Sequence, residues 1–310
     1  MGVPTFVMMC GLVGSGKTVK AHELAEQYDA TVFSSDSLRE ELFGNINEQS
    51  RNQELFTELH KRIKDCLREG KSAIYDATNI SYKKRMSFLA ELKNIPCDKI
   101  CVLMATPYEE CLKRNAERER KVPEYVIEKM CRSFDPPFYY EGFDKIIIDY
   151  SDSLPTKKPY EWVESVENFS QDNPHHDYTL GNHCKEAMKI ADEIYDNDYS
   201  THAISTRYAA LVHDCGKEFT KTFKSFNGKD SETAHYYGHE HISSYESLFF
   251  DYGLFCDILY ISVLLRWHMQ PFFNDKSPNK EKLDAKYRKL WGEELYTDLM
   301  NLHTADKEAH

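Results

Sequence analysis

Gly11-Leu12-Val13-Gly14-Ser15-Gly16-Lys17-Thr18 reads G-x-x-x-x-G-K-T, the spacing of a phosphate-binding loop. Its glycines let backbone N–H groups converge on phosphate oxygens. A helix opening at Lys17 aims its positive end at the same anion. In that arrangement Lys17 reaches the β- and γ-phosphates and the Thr18 hydroxyl ligates Mg²⁺. The flanks supply the context the motif needs. An apolar run, Thr5-Phe6-Val7-Met8-Met9-Cys10, precedes the loop and a helical stretch follows it to Tyr28, so the order is strand, loop, helix. Gly11, Gly14, Ser15, Gly16, Lys17 and Thr18 are therefore the expected contacts of ATP or another nucleoside triphosphate with its Mg²⁺.

Outward from the loop, the first half of the chain alternates. Short apolar strands are predicted at 31–34, 72–76, 99–104 and 145–149, and helices at about 49–68, 82–93 with Ser81 as N-cap, 108–120 and 124–131. Apolar strands separated by helices imply a parallel sheet with helices on both faces. Ligands then sit beyond the carboxyl ends of the strands, where the loop, Asp36 and Asp76 all fall.

Three groups near those ends carry candidate chemistry. Asp36, in Ser34-Ser35-Asp36-Ser37-Leu38-Arg39, is placed to accept the proton of an attacking hydroxyl in phosphoryl transfer; the same position would also cap a helix. Arg39, three residues on, is placed to hold a phosphate of the acceptor or to lie on a solvated face. Arg114 and Arg118 stand at i and i+4 of the predicted 108–120 helix, where a shared face would close over a phosphoryl group. Their charge run, 113–121, is equally the pattern of a solvated face. The Asp76-Ala77-Thr78-Asn79 turn serves metal or acceptor binding, or is an Asx turn.

These residues resemble the 5′-hydroxyl polynucleotide kinase family. The loop, Asp36-x-x-Arg39, Asp76-Ala77-Thr78-Asn79, Arg114-x-x-x-Arg118 and Tyr140-Glu141-Gly142-Phe143-Asp144 match in order over about residues 1–150. The resemblance implies that Lys17 and Thr18 bind ATP and Mg²⁺ and that Asp36 is the general base for the 5′-hydroxyl. It also implies that Arg39 contacts the 3′-phosphate of the terminal nucleotide, and that Arg114 and Arg118 are lid arginines around the donor phosphates.

From 153 to 173 Ser, Asp, Pro and Lys break the alternation, which predicts a linker between a kinase domain at 1–152 and a second domain at 174–310, with a short helix near 160–169. Beyond Gly181 the strand signal disappears and helices are predicted at 182–195, 202–213, 239–249, 255–268 and 293–310, so an all-α domain is expected. In Ala209-Ala210-Leu211-Val212-His213-Asp214-Cys215-Gly216-Lys217 an apolar helix ends in two metal-type ligands and a glycine stop. Imidazole and carboxylate without thiolate suit Mn, Fe, Co, Ni, Mg or Zn in a hydrolytic site.

The ordered set resembles the HD phosphohydrolase superfamily over about 174–310. His183, His213-Asp214 and Asp306 match its ligands, His239 and His268 match the extra histidines of its two-metal members, and Lys217 matches its phosphate-contacting lysine. His241 competes with His239, and Asp257 with Asp306. His310 stands where an arginine is expected, and His175-His176 precede the first ligand.

The 310 residues, 41% of them hydrophobic, suffice for two domains. A formal charge of −12 argues against broad coating of nucleic acid. The nine cysteines follow no C-x-x-C or paired pattern, which points to a reducing cytosol. The longest apolar run, 258–265, is far short of a membrane span. The combined resemblance implies a cytoplasmic enzyme that phosphorylates 5′-OH ends of RNA or DNA and removes a 3′-phosphate or 2′,3′-cyclic phosphate, with a separate ligase joining the ends. The alternative is a small-molecule kinase fused to a nucleotide phosphohydrolase.

Overall fold

The computed structural model describes residues 2–150, 154–174 and 177–309; His175, His176 and His310 thus lie outside the described residues. The chain forms two compact units, one of Met1–Met130 with Pro137–Ser153, the other of Cys131–Pro136 with Leu154–His310.

In the first unit, strand β1 (Thr5–Cys10) is buried along almost its whole length, as a central strand covered on both faces must be. It leads through the glycine loop into α1 (Lys17–Tyr28). There follow β2 (Ala30–Ser34), α2 (Ser35–Phe43), α3 (Asn52–Arg68), β3 (Ser72–Asp76), α4 (Tyr82–Glu91), β4 (Asp98–Met104), α5 (Tyr108–Glu117), α6 (Glu124–Cys131) and β5 (Lys145–Asp149). All four strand pairings are parallel, in the order β2-β3-β1-β4-β5. Helix α1 packs Ala21 and Leu24 against Val7, Met9, Ile74, Val102 and Met104 on one face of the sheet. On the other, Phe88 of α4 meets Phe6 and Tyr75 edge-on. Ser81 stands at the N-cap of α4, but its side chain makes no capping hydrogen bond.

The second unit holds α7 (Pro159–Ser165), α8 (Leu180–Ile194), α9 (Thr201–Val212), α10 (Lys217–Thr220), β6 (Thr222–Lys224), β7 (Asp230–His235), α11 (His239–Glu246), α12 (Ile258–Trp267), α13 (Met269–Asp275), α14 (Lys280–Trp291) and α15 (Glu293–Glu308). It is helical but not all-α: β6 and β7 form an antiparallel hairpin. The turn at Ser225–Gly228 closes when Gly228 N donates to Ser225 O at 2.8 Å and Ser225 N donates to Lys229 O at 2.7 Å. Asn227-Gly228 is a hairpin signal that polar strands without apolar alternation left unpaired in the sequence reading.

Two stretches depart from the expected domain limits. Residues 159–165, read as linker, are α7, whose Trp162 and Val163 are buried in the second unit. Residues 131–136, read as part of the kinase domain, also belong to that unit. Phe134 packs edge-on against Tyr245 at 5.0 Å and accepts a hydrogen bond from His241 Nδ1 on its carbonyl at 2.8 Å. Asp135 pairs with Arg266. No described helix is long and apolar enough to cross a membrane, and all nine cysteines are free thiols.

Candidate functional sites: a phosphate-loop cleft and a histidine–aspartate cluster

The first site follows from the parallel sheet. At the carboxyl edge of β1 the glycine loop turns over the start of α1. At Gly14 the backbone has φ +84°, and a Cβ would stand 2.4 Å from Cys111 O, so only glycine lets the loop pass α5 this closely. Gly11 N donates to Thr78 O at 3.0 Å, and Ser15 O accepts from Thr106 Oγ1 at 3.1 Å. The loop is thereby tied to the ends of β3 and β4. Lys17 Nζ donates to Leu12 O at 2.6 Å. Burial pushes its ammonium below the ordinary lysine range, against the pull of Asp76. Thr18 Oγ1 donates to Asp76 Oδ2 at 2.8 Å. This hydroxyl and carboxylate are oxygen donors of the kind Mg²⁺ takes.

Beneath this edge lies a buried ion pair. Arg85 Nε and Nη2 each donate to Glu141 at 2.7 Å, and Nη1 donates to Asn79 O at 2.8 Å. Burial opposes the charge on Arg85, but Glu141 outweighs it and keeps the guanidinium protonated. Asn79, at φ +46°, donates from Nδ2 to Met9 O at 2.8 Å. The Asp76–Asn79 turn is thus locked to β1 from below.

A cleft of about 470 Å³ opens above, lined by Lys17, Thr18, Asp36, Arg39, Asp76 and Arg118 among others. Asp36 lies in the first turn of α2. Arg39 is buried, donates from Nη1 to Asp36 Oδ1 at 3.0 Å and from Nη2 to Asn52 Oδ1 at 2.9 Å, and keeps Nε without a hydrogen-bond partner. Burial pushes the Arg39 guanidinium pKa down, partly offset by Asp36.

The predicted shared face of Arg114 and Arg118 does not exist. Helix α5 ends at Glu117, and Arg118 is its C-cap in an extended conformation. The cause is Asn115, which donates from Nδ2 to Val122 O at 2.8 Å and accepts from Val122 N at 2.9 Å, folding the chain back. Arg114 Nε turns to Glu110 at 2.9 Å and is not among the lining residues, whereas Arg118 is. The same turn delivers Arg120, which the sequence reading passed over: its Nη1 lies 2.9 Å from Asp36 Oδ1.

The second site is assembled by the mutual packing of α8, α9, α12 and α15, with α11 against α12. His183 lies in α8, His213 ends α9 and is followed by Asp214, His239 opens α11, His268 ends α12, and Asp306 lies in α15. His183 Nε2 is 3.1 Å from His213 Nε2. Asp306 Oδ1 lies 3.2 Å from the first of these nitrogens and 3.4 Å from the second. His239 Nε2 is 3.2 Å from His268 Nε2. Asp214 joins the two pairs, with Oδ2 3.3 Å from His213 and Oδ1 3.2 Å from His239. Two groups of ligand atoms, His183-His213-Asp214 and Asp214-His239-His268, are each compact enough to hold one ion.

The hydrogen bonds test whether a cation fits. His183 Nδ1 donates to Ala309 O, His213 Nδ1 to Ala210 O and His239 Nδ1 to Tyr236 O, each at 2.8 Å, and His268 Nδ1 donates to Leu265 O. In the neutral imidazoles each Nε2 is then an acceptor, and two facing acceptors about 3 Å apart repel unless a proton or cation lies between them. The donor set fits a pair of divalent ions sharing Asp214. For the protein groups alone, burial opposes charge on His213, but Asp214 and Asp306 outweigh it and hold it up to about 10. At His268 burial prevails, helped by His239 and His213, and pushes it down to about 4.

Gly216 proves to be a close-approach residue instead of a helix stop. A Cβ there would stand 2.3 Å from His239 O and 2.7 Å from Ser243 N, so its absence lets α11 bring His239 to Asp214. Lys217 Nζ reaches Asp214 Oδ2 at 2.6 Å and donates to Gln171 Oε1 at 2.8 Å. His241 lies outside the cluster, bonded to Phe134 O, and Asp257 caps α12 by accepting from Tyr260 N.

Comparison with known proteins finds similarity over part of the chain. Residues 6–137 match the family described as an AAA domain. The L-seryl-tRNA(Sec) kinase of Methanococcus maripaludis is 26% identical over 155 residues, 48% of this chain and 60% of that one. The Arabidopsis thaliana transcription factor bHLH140 is 30% identical over 100 residues, 30% of this chain and 11% of that one. The chain thus spans less than two thirds of the length of these curated relatives. Solved structures similar in part include the Pnkp1/Rnl/Hen1 RNA repair complex (22% identity, 42% and 43% of the two chains, TM-score 0.37). A gluconokinase of Sinorhizobium meliloti is also similar (12% identity, 49% and 86%, TM-score 0.36). With its phosphate loop on a five-stranded parallel sheet, the first unit has the α/β fold of a P-loop kinase.

Proposed function

We propose that the chain is a bifunctional enzyme that heals nucleic-acid ends. The first unit transfers the γ-phosphoryl group of ATP to a 5′-hydroxyl, and the second removes a 3′-phosphate or 2′,3′-cyclic phosphate. The observation that carries the first activity is one cleft lined by Lys17, Thr18, Asp36, Arg39 and Asp76. Lys17 holds the donor phosphates, Thr18 and Asp76 hold Mg²⁺, and Asp36 accepts the proton of the attacking hydroxyl. Arg39 orients Asp36 and offers its guanidinium to a phosphate of the acceptor.

The second activity is supported by the sharing of Asp214 between two histidine pairs. His183, His213, Asp214 and Asp306 would hold one ion, and Asp214, His239 and His268 another. Bound there, Mn, Ni, Co, Fe or Zn would supply Lewis acidity to a phosphoryl oxygen and acidify water. Lys217, beside Asp214, is placed to neutralise a phosphate arriving at the cluster. The partners of this reading are RNA or DNA ends and a separate ligase, in the cytoplasm.

A short RNA with 5′-OH and 3′-phosphate ends, incubated with ATP, Mg²⁺ and Mn²⁺ and weighed at both ends, tests the reading. Gain of a 5′-phosphate is expected to fail only in Asp36→Ala, and loss of the 3′-phosphate only in Asp214→Ala. The net charge of −12 favours a second reading, a small-molecule kinase fused to a nucleotide phosphohydrolase. ATP turnover with no change at either RNA end would put that reading first.

A further inference from the structure

Lys217 is buried, and a side chain that seats it comes from the stretch read from sequence as linker. Lys217 Nζ lies 2.6 Å from Asp214 Oδ2 and donates to Gln171 Oε1 at 2.8 Å. Gln171 is only 2% exposed. Its amide is oriented from both ends. Nε2 donates to Tyr178 O at 3.1 Å, and the ammonium, which has only hydrogens to give, takes the oxygen.

The backbone around Gln171 is held as well. Gln171 O accepts from the Tyr236 hydroxyl at 2.6 Å. Ala234 N donates to Asp172 O at 2.8 Å, and Asn173 Nδ2 donates to Ala234 O at 3.1 Å. Strand β7 is thus a backstop for residues 171–173. Tyr236, just past β7, reaches further. Its carbonyl accepts from His239 Nδ1 at 2.8 Å, and its ring lies 5.3 Å from Lys217 Nζ. One residue therefore ties together a cluster histidine, the lysine and the glutamine.

Asp214 and Gln171 differ as acceptors. Asp214 Oδ2 also lies 3.3 Å from His213 Nε2, and Oδ1 lies 3.2 Å from His239 Nε2, so this carboxylate belongs to the candidate ligand set and offers Lys217 a contested oxygen. The Gln171 amide is neutral. It fixes the ammonium without cancelling its charge, which a carboxylate in that place would do.

From this geometry we infer that Gln171 is a positioning residue for phosphate binding: it holds Lys217 at the edge of the histidine–aspartate cluster with its charge intact, and Tyr236 braces it. The inference rests on the phosphohydrolase reading above and adds to it a residue that acts through Lys217. A glutamine that only anchored its loop would act on stability and independently of that lysine.

The test uses the full chain loaded with Mn²⁺. Gln171→Met keeps the length of the side chain and removes the amide; it is compared with Lys217→Met and with the two together. Tyr236→Phe is made alone and with Lys217→Met. Titration calorimetry gives Kd for inorganic phosphate, p-nitrophenyl phosphate and a 3′-phosphorylated RNA report turnover, and mass spectrometry and melting report bound Mn²⁺ and folding. Gln171→Met is expected to raise the phosphate Kd about tenfold, as the loss of a hydrogen bond to a charged group does, with bound Mn²⁺ as in the wild type. Once Lys217 is Met, the same change should add less than twofold. Tyr236→Phe should shift Kd in the same direction by less, again only while Lys217 is present; should Gln171→Met not fold, this pair decides. Equal effects with and without Lys217 overturn the proposal and leave the hydrolase reading standing. A wild type that hydrolyses neither substrate removes the hydrolase reading and the proposal with it.

Discussion

Arg120 and Asp36 meet at 2.9 Å on the carboxylate oxygen that Arg39 approaches from the buried side at 3.0 Å. Two guanidiniums from different elements therefore fix one rotamer of the proposed base. Removing the outer one leaves Asp36 held by Arg39 alone, with the phosphate loop intact. Arg120→Ala is expected to lower kcat for 5′-phosphorylation about tenfold, the loss of one charge-assisted hydrogen bond, with KM for ATP unchanged. Arg114→Ala, whose guanidinium faces Glu110, is expected to change kcat less than twofold. Steady-state kinetics on both variants decide it; equal losses would restore the shared arginine face.

Asp36→Asn keeps the side chain's shape and removes its basicity. A positioned general base is worth about 10²- to 10⁴-fold, so kcat should fall in that range while equilibrium binding of ATP is retained. Nucleotide titration alongside single-turnover phosphorylation separates the two.

Metal removal and add-back should separate the two activities. After EDTA and desalting, release of the 3′-phosphate is expected to return with Mn²⁺ or Ni²⁺, and 5′-phosphorylation with Mg²⁺. Because ions bound only by the folded cluster stabilise it by about 2.7 kcal/mol at 100 times Kd, the melting transition of the second unit should rise on adding Mn²⁺. Asp214→Asn, which alters the ligand common to both ion positions, should abolish that rise.

Gly216→Ala places a methyl group where His239 O stands 2.3 Å away. Helix α11 must retreat, and His239 with it. Bound metal measured by mass spectrometry is expected to drop by half or more, with 3′-phosphate release falling in parallel and 5′-phosphorylation untouched. Full metal content in this variant would show that α11 has room the geometry denies it.

The buried Arg85–Glu141 pair gives a stability prediction. Glu141→Gln leaves the guanidinium uncompensated beneath the phosphate loop, a change that costs about 3–5 kcal/mol in buried pairs. Arg85→Met/Glu141→Met removes both charges and should melt higher than Glu141→Gln or Arg85→Met alone. Calorimetry on the three proteins checks the order.

Much of the first unit was legible because its signals are local. The glycine loop, the apolar runs and Asp36 each declare themselves within a few residues. The arginines were not, since Asn115 gripping Val122 across the chain reversal turns Arg118 and Arg120 to the cleft and leaves Arg114 off it, a tertiary event that helical spacing does not record. In the second unit the residue types at the cluster were readable, but the choice of His239 over His241 depends on Gly216 admitting α11 and on Phe134 engaging His241. The hairpin escaped because its strands are too polar to alternate.

The placement of residues 131–136 bears on how such a protein could have been put together. The second unit takes Phe134 and Asp135 from within the sequence span of the first. A fragment starting at 154 would lack the ring that covers Tyr245 and the carboxylate that meets Arg266. A single break in the chain cannot deliver the second unit complete, nor can one cut remove it.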